Sequence, residues 1–258
     1  MSSIATDNDG NNNLENLNNK YVNIINGKYC EEAKIATLAA LEAGHFALEG
    51  QKQAKANVSV NNNNDSLGVL SKGGIDLVTK YDKGCEKLIF DRLREHFASY
   101  EFIGEESSSE NKLTDSPTFC VDPIDGTTNF VHALPMFAIS IGLLVNKRSV
   151  LGIIYIPSSG LLYQAAEKCG AYLNSVRIHV DDADNLSSAL IATNFGHSRD
   201  PTIVKNQITS VHNLLKKQAR SIRMLGKYKH ANIYIKMFHS MMMLHIIYKN
   251  IILNRQHR

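Results

Sequence analysis

No acidic residue follows Asp200, no tryptophan occurs in the 258 residues, and the four cysteines (Cys30, Cys85, Cys120, Cys169) stand far apart. Scattered thiols without paired spacing supply neither a zinc cluster nor a disulfide framework. Residues Met1 to Lys20 are polar and Asn-rich. They lack the apolar core of a secretory signal and the Arg-rich pattern of a transit peptide, so a reducing cytoplasm is the expected location. No internal repeat stands out. The missing acids also shape the charge. Lys227 to Arg258 carries six Lys/Arg and no Asp or Glu; without that stretch the chain holds 22 basic against 25 acidic residues. A mildly acidic body and a basic tail sum to +3, which is therefore no argument for nucleic-acid binding.

What is present suits a globular protein: 43% hydrophobic and 21% charged residues, in a chain long enough for one large domain or two tightly joined layers. Residues 1–30 are expected to be disordered, with the Asn runs at Asn11 to Asn13 and Asn61 to Asn64 in solvated segments. Glu31 to Lys55 predicts a helix, with Ala33, Ala36, Ala40, Ala43 and Ala47 at helical steps. A second helix is expected from about Asp82, as N-cap, to Phe97, burying a stripe of Cys85, Leu88, Ile89, Leu93 and Phe97.

Short strands follow at Glu101 to Ile103 and Thr118 to Val121, the second ending directly in Asp122. Ala138 to Val145 and Val150 to Ile156 predict an antiparallel hairpin turned by Asn146 to Ser149, and Leu161 to Ala165 and Gly170 to Asn174 continue the meander. Leu190 to Asn194 and Ala219 to Met224 predict strands, with a helix over Pro201 to Gln218 between them. Helices and strands alternate in blocks rather than in strict βαβ order, so a layered α+β fold is the better class.

The chemistry lies between Lys72 and Thr128. Asp122-Pro123-Ile124-Asp125-Gly126-Thr127-Thr128 follows an apolar strand and carries two acids three residues apart. Pro123 restricts the backbone between them, so both carboxylates can turn to one point. Magnesium takes hard oxygen ligands and keeps several waters, and two carboxylates with the Ile124 carbonyl supply such oxygens. Gly126 permits close backbone approach. Thr127 and Thr128 then offer N–H and hydroxyl donors, which a helix starting there would turn into an anion site. Glu105 and Glu106, in Gly104-Glu105-Glu106-Ser107, also follow a strand; adjacent acids point different ways, so at most one reaches a given metal. Each loop alone suits a solvated or capping role, and the two together are far more specific.

Gly104-Glu105-Glu106-Ser107 followed by Asp122-Pro-Ile-Asp-Gly-Thr-Thr-Asn129-Phe130 resembles the signature of the inositol monophosphatase family. Lys72-Gly-Gly-Ile-Asp76-Leu-Val-Thr79 and Tyr81-Asp82 are similar to its substrate-proximal loop and the helix start that follows. The resemblance runs from about Glu31 to Gly226 and implies a layered αβαβα sandwich, a homodimer and Mg²⁺ cofactors. It implies that Glu105, Asp122 and the Ile124 carbonyl bind one ion and that Asp122 and Asp125 bind a second. Thr127 with Asp82, and Glu105, would orient and deprotonate the attacking water. The Gly126 and Thr127 amides would hold the phosphate, and Asp125 would also face the substrate. The implied activity is hydrolysis of inositol monophosphate. The alternatives are a catalytically impaired member of the family, or a phosphatase of another small sugar or nucleotide phosphate.

The resemblance implies a domain over residues 31–226, after which the family continues with small residues and a Trp-Asp motif whose Asp completes a metal site. Here Lys227-Tyr228-Lys229-His230 stands instead, and residues 227–258 are expected to be a divergent tail from a truncated, alternatively spliced or misread end, leaving the C-terminal part of the fold incomplete. Ala231 to Leu253 is apolar, but Lys236, His239, His245 and Lys249 interrupt it, which disfavours a membrane span. His230, His239, His245 and His257 fit no compact zinc spacing.

Overall fold

The structure is a computed structural model that describes residues 21–22, 24–61, 70–73, 76–107, 112–179, 185–193 and 199–224. The expectations for residues 1–20, for the tail 227–258 and its histidines, and for Asn62 to Asn64 lie outside the described residues. Among the described residues no helix is long and apolar enough to cross a membrane.

The first helix, α1, runs Cys30–Asn61, with Glu31 and Glu32 in the first turn, where the positive end of the helix dipole favours acids. Its alanine stripe is buried as expected: Ala33, Ala36, Ala40, Ala43 and Ala47 are all within 1% of complete burial. Small side chains let α1 lie close over the main-sheet strands at Ala138–Val145 and Arg148–Ile156 and beside α2 (Lys80–His96). On α2, Cys85, Ile89 and Leu93 are buried and Leu88 packs against the same core.

Two short strands, β1 (Leu70–Gly73) and β2 (Asp76–Val78), pair antiparallel ahead of α2. The main sheet has seven strands in the order β3 (Glu101–Gly104), β4 (Thr118–Asp125), β5 (Ala138–Val145), β6 (Arg148–Ile156), β7 (Leu161–Ala166), β8 (Gly170–Leu173) and β9 (Val176–Ile178). Only β3 and β4 run parallel; every later neighbour is antiparallel. The β5–β6 hairpin turns tightly on Asn146 and Lys147, both at positive φ (52° and 60°), the combination that matches the twist of the flanking strands.

Alternation sorts the sheet into two faces. Phe119, Val121, Ile139, Ile141 and Leu143 join the α1 and α2 side chains in one core. The intervening positions, among them Cys120, Asp122, Ala138, Ser140 and Leu144, belong to the opposite face. Beyond the meander, β10 (Leu190–Thr193) and β11 (Ser221–Met224) pair in parallel, with α4 (Pro201–Lys216) between them in sequence. This α4 follows the five-residue α3 (Thr127–Val131) in chain order and buries none of its residues; Ile203, Ile208 and Leu215 are exposed. A mixed sheet layered with helices is the expected class.

Three expectations need correction. Disorder is expected through residue 30, but Tyr21, Ile25 and Tyr29 are buried in the main core. The strand that begins at Thr118 does not stop at Val121 but continues through Asp125. Pro123 has no N–H to donate, but the last β3–β4 register pair is Gly104 with Val121, and the β4–β5 register slips between Asp122 and Asp125. A proline is tolerated at such an irregularity. Asp82 is not the N-cap of α2. Thr79 caps it, accepting from the Tyr81 and Asp82 amides, and Asp82 is the third helical residue of a reciprocal capping box.

All four cysteines are free thiols: Cys30 exposed, Cys169 half-buried, Cys85 and Cys120 buried. Burial raises the Cys85 thiol pKa, and the nearby Asp82 charge raises it further. Thiolate is the reacting form. A thiol-reactive chromophore at pH 8 is therefore expected to label Cys30 first and Cys169 more slowly, and to reach Cys85 and Cys120 only after denaturant is added. Rapid labelling of all four in the native protein would contradict this burial pattern.

Candidate active site at the ends of two parallel strands

The pairing of β3 with β4 sets the site. Glu101 lies beside Thr118 and Gly104 beside Val121, so the residues leaving the two strands together are Glu105 and Asp122. The Glu105 amide donates to the Val121 carbonyl at 3.1 Å and carries the pairing one step further. Parallel neighbours thus bring acids 17 positions apart in sequence to one edge. Asp122 and Asp125 are 6% and 4% exposed; Glu105 and Glu106 are half-buried.

The helix α2 brings a second acidic pair to the same end of the sheet. Asp82, 1% exposed, accepts from the Thr79 amide at 2.8 Å and the Thr79 hydroxyl at 2.5 Å through Oδ2. Its Oδ1 accepts from the Thr127 hydroxyl at 3.1 Å. That hydroxyl also lies 3.2 Å from the Ile124 carbonyl. One proton serves either acceptor, and the lone pairs of the Thr127 oxygen remain to accept from a third group. Glu86, one helical turn after Asp82 and 3% exposed, accepts from the Glu106 amide at 2.8 Å. Glu86 needs the glycine beneath it: a Cβ on Gly104 would stand 2.1 Å from its Oε2.

Gly126 starts α3 at φ +101°, a conformation that L side chains rarely adopt, and a Cβ there would come within 3.1 Å of the Met136 carbonyl. Asn129 Nδ2 donates to that same carbonyl at 2.7 Å, drawing the following loop onto α3. From the core side, Gln51 Nε2 on α1 donates to the Phe130 carbonyl at 2.9 Å, and Phe130 packs edge-on to Phe137. The Asp125-Gly126-Thr127 turn is therefore held from several sides.

Glu105, Asp122, Ile124, Asp125, Gly126 and Thr127 thus all lie on one turn and the strand end beside it, with Asp82 joined to them through Thr127. Sequence reasoning missed two residues. Thr79 was within a recognised segment but its capping role was not seen, and the signal was the spacing Thr79-x-x-Asp82. Glu86 was not singled out; the signal was Asp82 and Glu86 at i,i+4 beside the buried Cys85 and Ile89.

The donor chemistry fits a hard divalent cation. Buried carboxylates repel one another unless protonated or neutralised, and every candidate ligand here is oxygen. Among the described residues no group of three or more His, Cys, Asp and Glu forms a ready-made cage.

Comparison with known proteins agrees with this chemistry. Residues 30–237 match the profile described as "Inositol monophosphatase family", a match that runs past Gly226. "Inositol monophosphatase 1" of Solanum lycopersicum is 41% identical over 204 residues, covering 78% of this chain and 70% of that protein. "Inositol monophosphatase 1" of Homo sapiens is 35% identical over 188 residues, covering 72% of this chain and 68% of that one. Among solved structures, extragenic suppressor protein suhB from Bartonella henselae superposes with a TM-score of 0.65 at 29% identity, covering 76% of this chain and 71% of its own. Strand ends, acidic turn and sequence agree: the chain belongs to the inositol monophosphatase family of metal-dependent phosphatases.

Proposed function

We propose that the chain hydrolyses inositol monophosphate to inositol and phosphate with Mg²⁺ as cofactor. The observation that carries this is Thr127 hydrogen-bonded to the buried Asp82 on the turn beside Asp122 and Asp125. Glu105, Asp122, the Ile124 carbonyl and Asp125 are the residues that would hold the cation. When bound, Mg²⁺ neutralises phosphate charge and makes water a better nucleophile near neutral pH.

The chain's own groups divide the remaining work. Asp82 accepts a hydrogen bond from the Thr127 hydroxyl and so turns the lone pairs of Thr127 outward, where they accept a hydrogen bond from the attacking water. Glu105 takes a proton from that water. The Gly126 and Thr127 amides hold the phosphate, while Asp125 also faces a substrate hydroxyl. Four free cysteines suit a reducing cytoplasm, and the family resemblance supports a homodimer built on the domain at residues 31–226.

Phosphate release from inositol monophosphate, a hexose phosphate and a nucleotide monophosphate, each across a Mg²⁺ titration, tests the assignment. A preference for the inositol ester that vanishes with chelator is expected; equal or Mg²⁺-independent turnover would reject it. Thr127→Ala should lower turnover about a hundredfold, the low end of what a positioned proton-transfer partner supplies, with little change in metal affinity. Thr127→Ser keeps the hydroxyl and should retain most of the rate. Since Gly126, not Thr127, occupies the cap of α3, the loss of stability should be that of one hydrogen bond to a charged acceptor, about 1.5–3 kcal/mol. An unchanged rate in Thr127→Ala would remove Thr127 from the mechanism.

A further inference from the structure

Ser140, in the middle region of β5, is completely buried, and its hydroxyl makes no hydrogen bond. A buried hydroxyl left unsatisfied costs stability, and alanine at the same place would avoid that cost. The surroundings on that face do not call for a polar group. Ala138 and Leu144 share it along β5, Cys120 on β4 and Ile154 on β6, all buried. The polar residues of β4 paired with that face are Thr118, opposite Leu144, Asp125, opposite Ala138, and Asp122. Ser140 lies directly opposite Asp122 in the β4–β5 register, and Asp122 is the last regularly paired residue before the slip that frees the acidic turn. Directly opposed residues present their side chains on one face with Cβ atoms roughly 4.5–5.5 Å apart, within reach of one hydrogen bond.

We propose that Ser140 is a positioning residue for Asp122: its hydroxyl donates to the Asp122 carboxylate while that carboxylate holds a divalent cation, and so keeps the carboxylate oriented. This rests on the assignment of Asp122 as a metal ligand. The hydroxyl rotates freely about its C–O bond, so it can serve a carboxylate whose orientation changes on metal binding. A serine also places its oxygen only two bonds from the backbone of a strand fixed on both sides, by β4 and β6. A longer polar side chain in a packed face could not be aimed so closely. Partners of this kind behind a ligand contribute to metal affinity although they never touch the metal.

The test is Mn²⁺ binding to the full chain by electron paramagnetic resonance, with melting temperatures taken in metal-free buffer. Ser140→Ala is expected to bind Mn²⁺ about tenfold more weakly than the parent, the low end for loss of such a partner. Its metal-free melting temperature should hold or rise, because the unsatisfied hydroxyl is gone. Ser140→Thr retains the hydroxyl and should recover most of the affinity, measured below its own melting temperature. A purely structural serine predicts no loss of affinity in Ser140→Ala and no recovery in Ser140→Thr. Parental affinity in Ser140→Ala, with binding lost in Asp122→Asn, would overturn the inference and leave the Asp122 assignment intact. Equal binding by the parent and Asp122→Asn would overturn both.

Discussion

Asp122→Asn is expected to reduce Mg²⁺-dependent phosphate release at least about a hundredfold, because a carboxylate ligand contributes several kcal/mol of charge stabilisation through the metal it holds. The fold should not suffer. Asp122 is 6% exposed at the strand end where Glu105 also emerges, and Asp125 follows at 4% exposed. Without a cation, three negative groups gathered at one edge destabilise the native state, and an amide of the same shape removes one of them. The metal-free melting temperature is therefore expected to stay level or rise while activity disappears. Ordinary damage to a buried strand would lower both. Calorimetry of the metal-free protein beside phosphate release separates the cases, and near-parental activity in Asp122→Asn would end the ligand assignment.

The features legible in the sequence are those whose physics is local. The alanine spacing of α1 and the paired apolar runs of β5 and β6 each carry their own period, so element type followed directly. The acidic turn was legible because its residues are contiguous. What escaped depended on partners. Asp82 read as a helix cap because an acid before a periodic apolar stripe usually is one; only the two bonds from Thr79 show that the cap lies three residues earlier. β4 continues through Pro123 to Asp125, although a proline within a sheet ordinarily leaves a neighbour without its donor. Its β3 neighbour has already stopped at Gly104. Glu86 resembles any solvated helix acid until Gly104 is seen to leave room for it. The three-residue β9 has too few residues to show alternation and exists as an extension of β8.

The site is thus assembled from two different kinds of support. Sheet pairing delivers Glu105, Asp122 and, across the strand, Ser140 to one edge, at the cost of concentrating charge there. The capping box of α2 fixes Asp82 by hydrogen bonds that would stabilise a helix in any protein, and Thr127 joins the two. Substitutions on the two sides should consequently differ in the sign of their effect on stability, even where both abolish turnover.

Asp82→Asn is the substitution that exposes this difference. It is expected to lower turnover about a hundredfold, like loss of other proton-transfer partners, and also to destabilise the fold by about 2–4 kcal/mol, since hydrogen bonds to a charged acceptor contribute roughly 1.5–3 kcal/mol each. Asp82 accepts three of them, from the Thr79 amide, the Thr79 hydroxyl and the Thr127 hydroxyl. An asparagine offers one oxygen for these donors and turns an NH₂ group towards the rest, so at least one buried donor faces another. Repulsion from the neighbouring carboxylates does not reverse the sign, because both oxygens of Asp82 are already engaged by donors. For a protein of this size the melting temperature should drop on the order of 5–10 °C. Thr79→Ala serves as the control: it removes the cap and the hydroxyl bond to Asp82, costing about 2–4 kcal/mol, but leaves the Asp82–Thr127 bond and so most of the turnover. If Asp82→Asn melts and turns over like the parent, the buried carboxylate neither anchors α2 nor orients Thr127. If it loses stability but keeps its rate, Asp82 is a helix cap partner alone, and the outward lone pairs of Thr127 must be set by the Ile124 carbonyl instead.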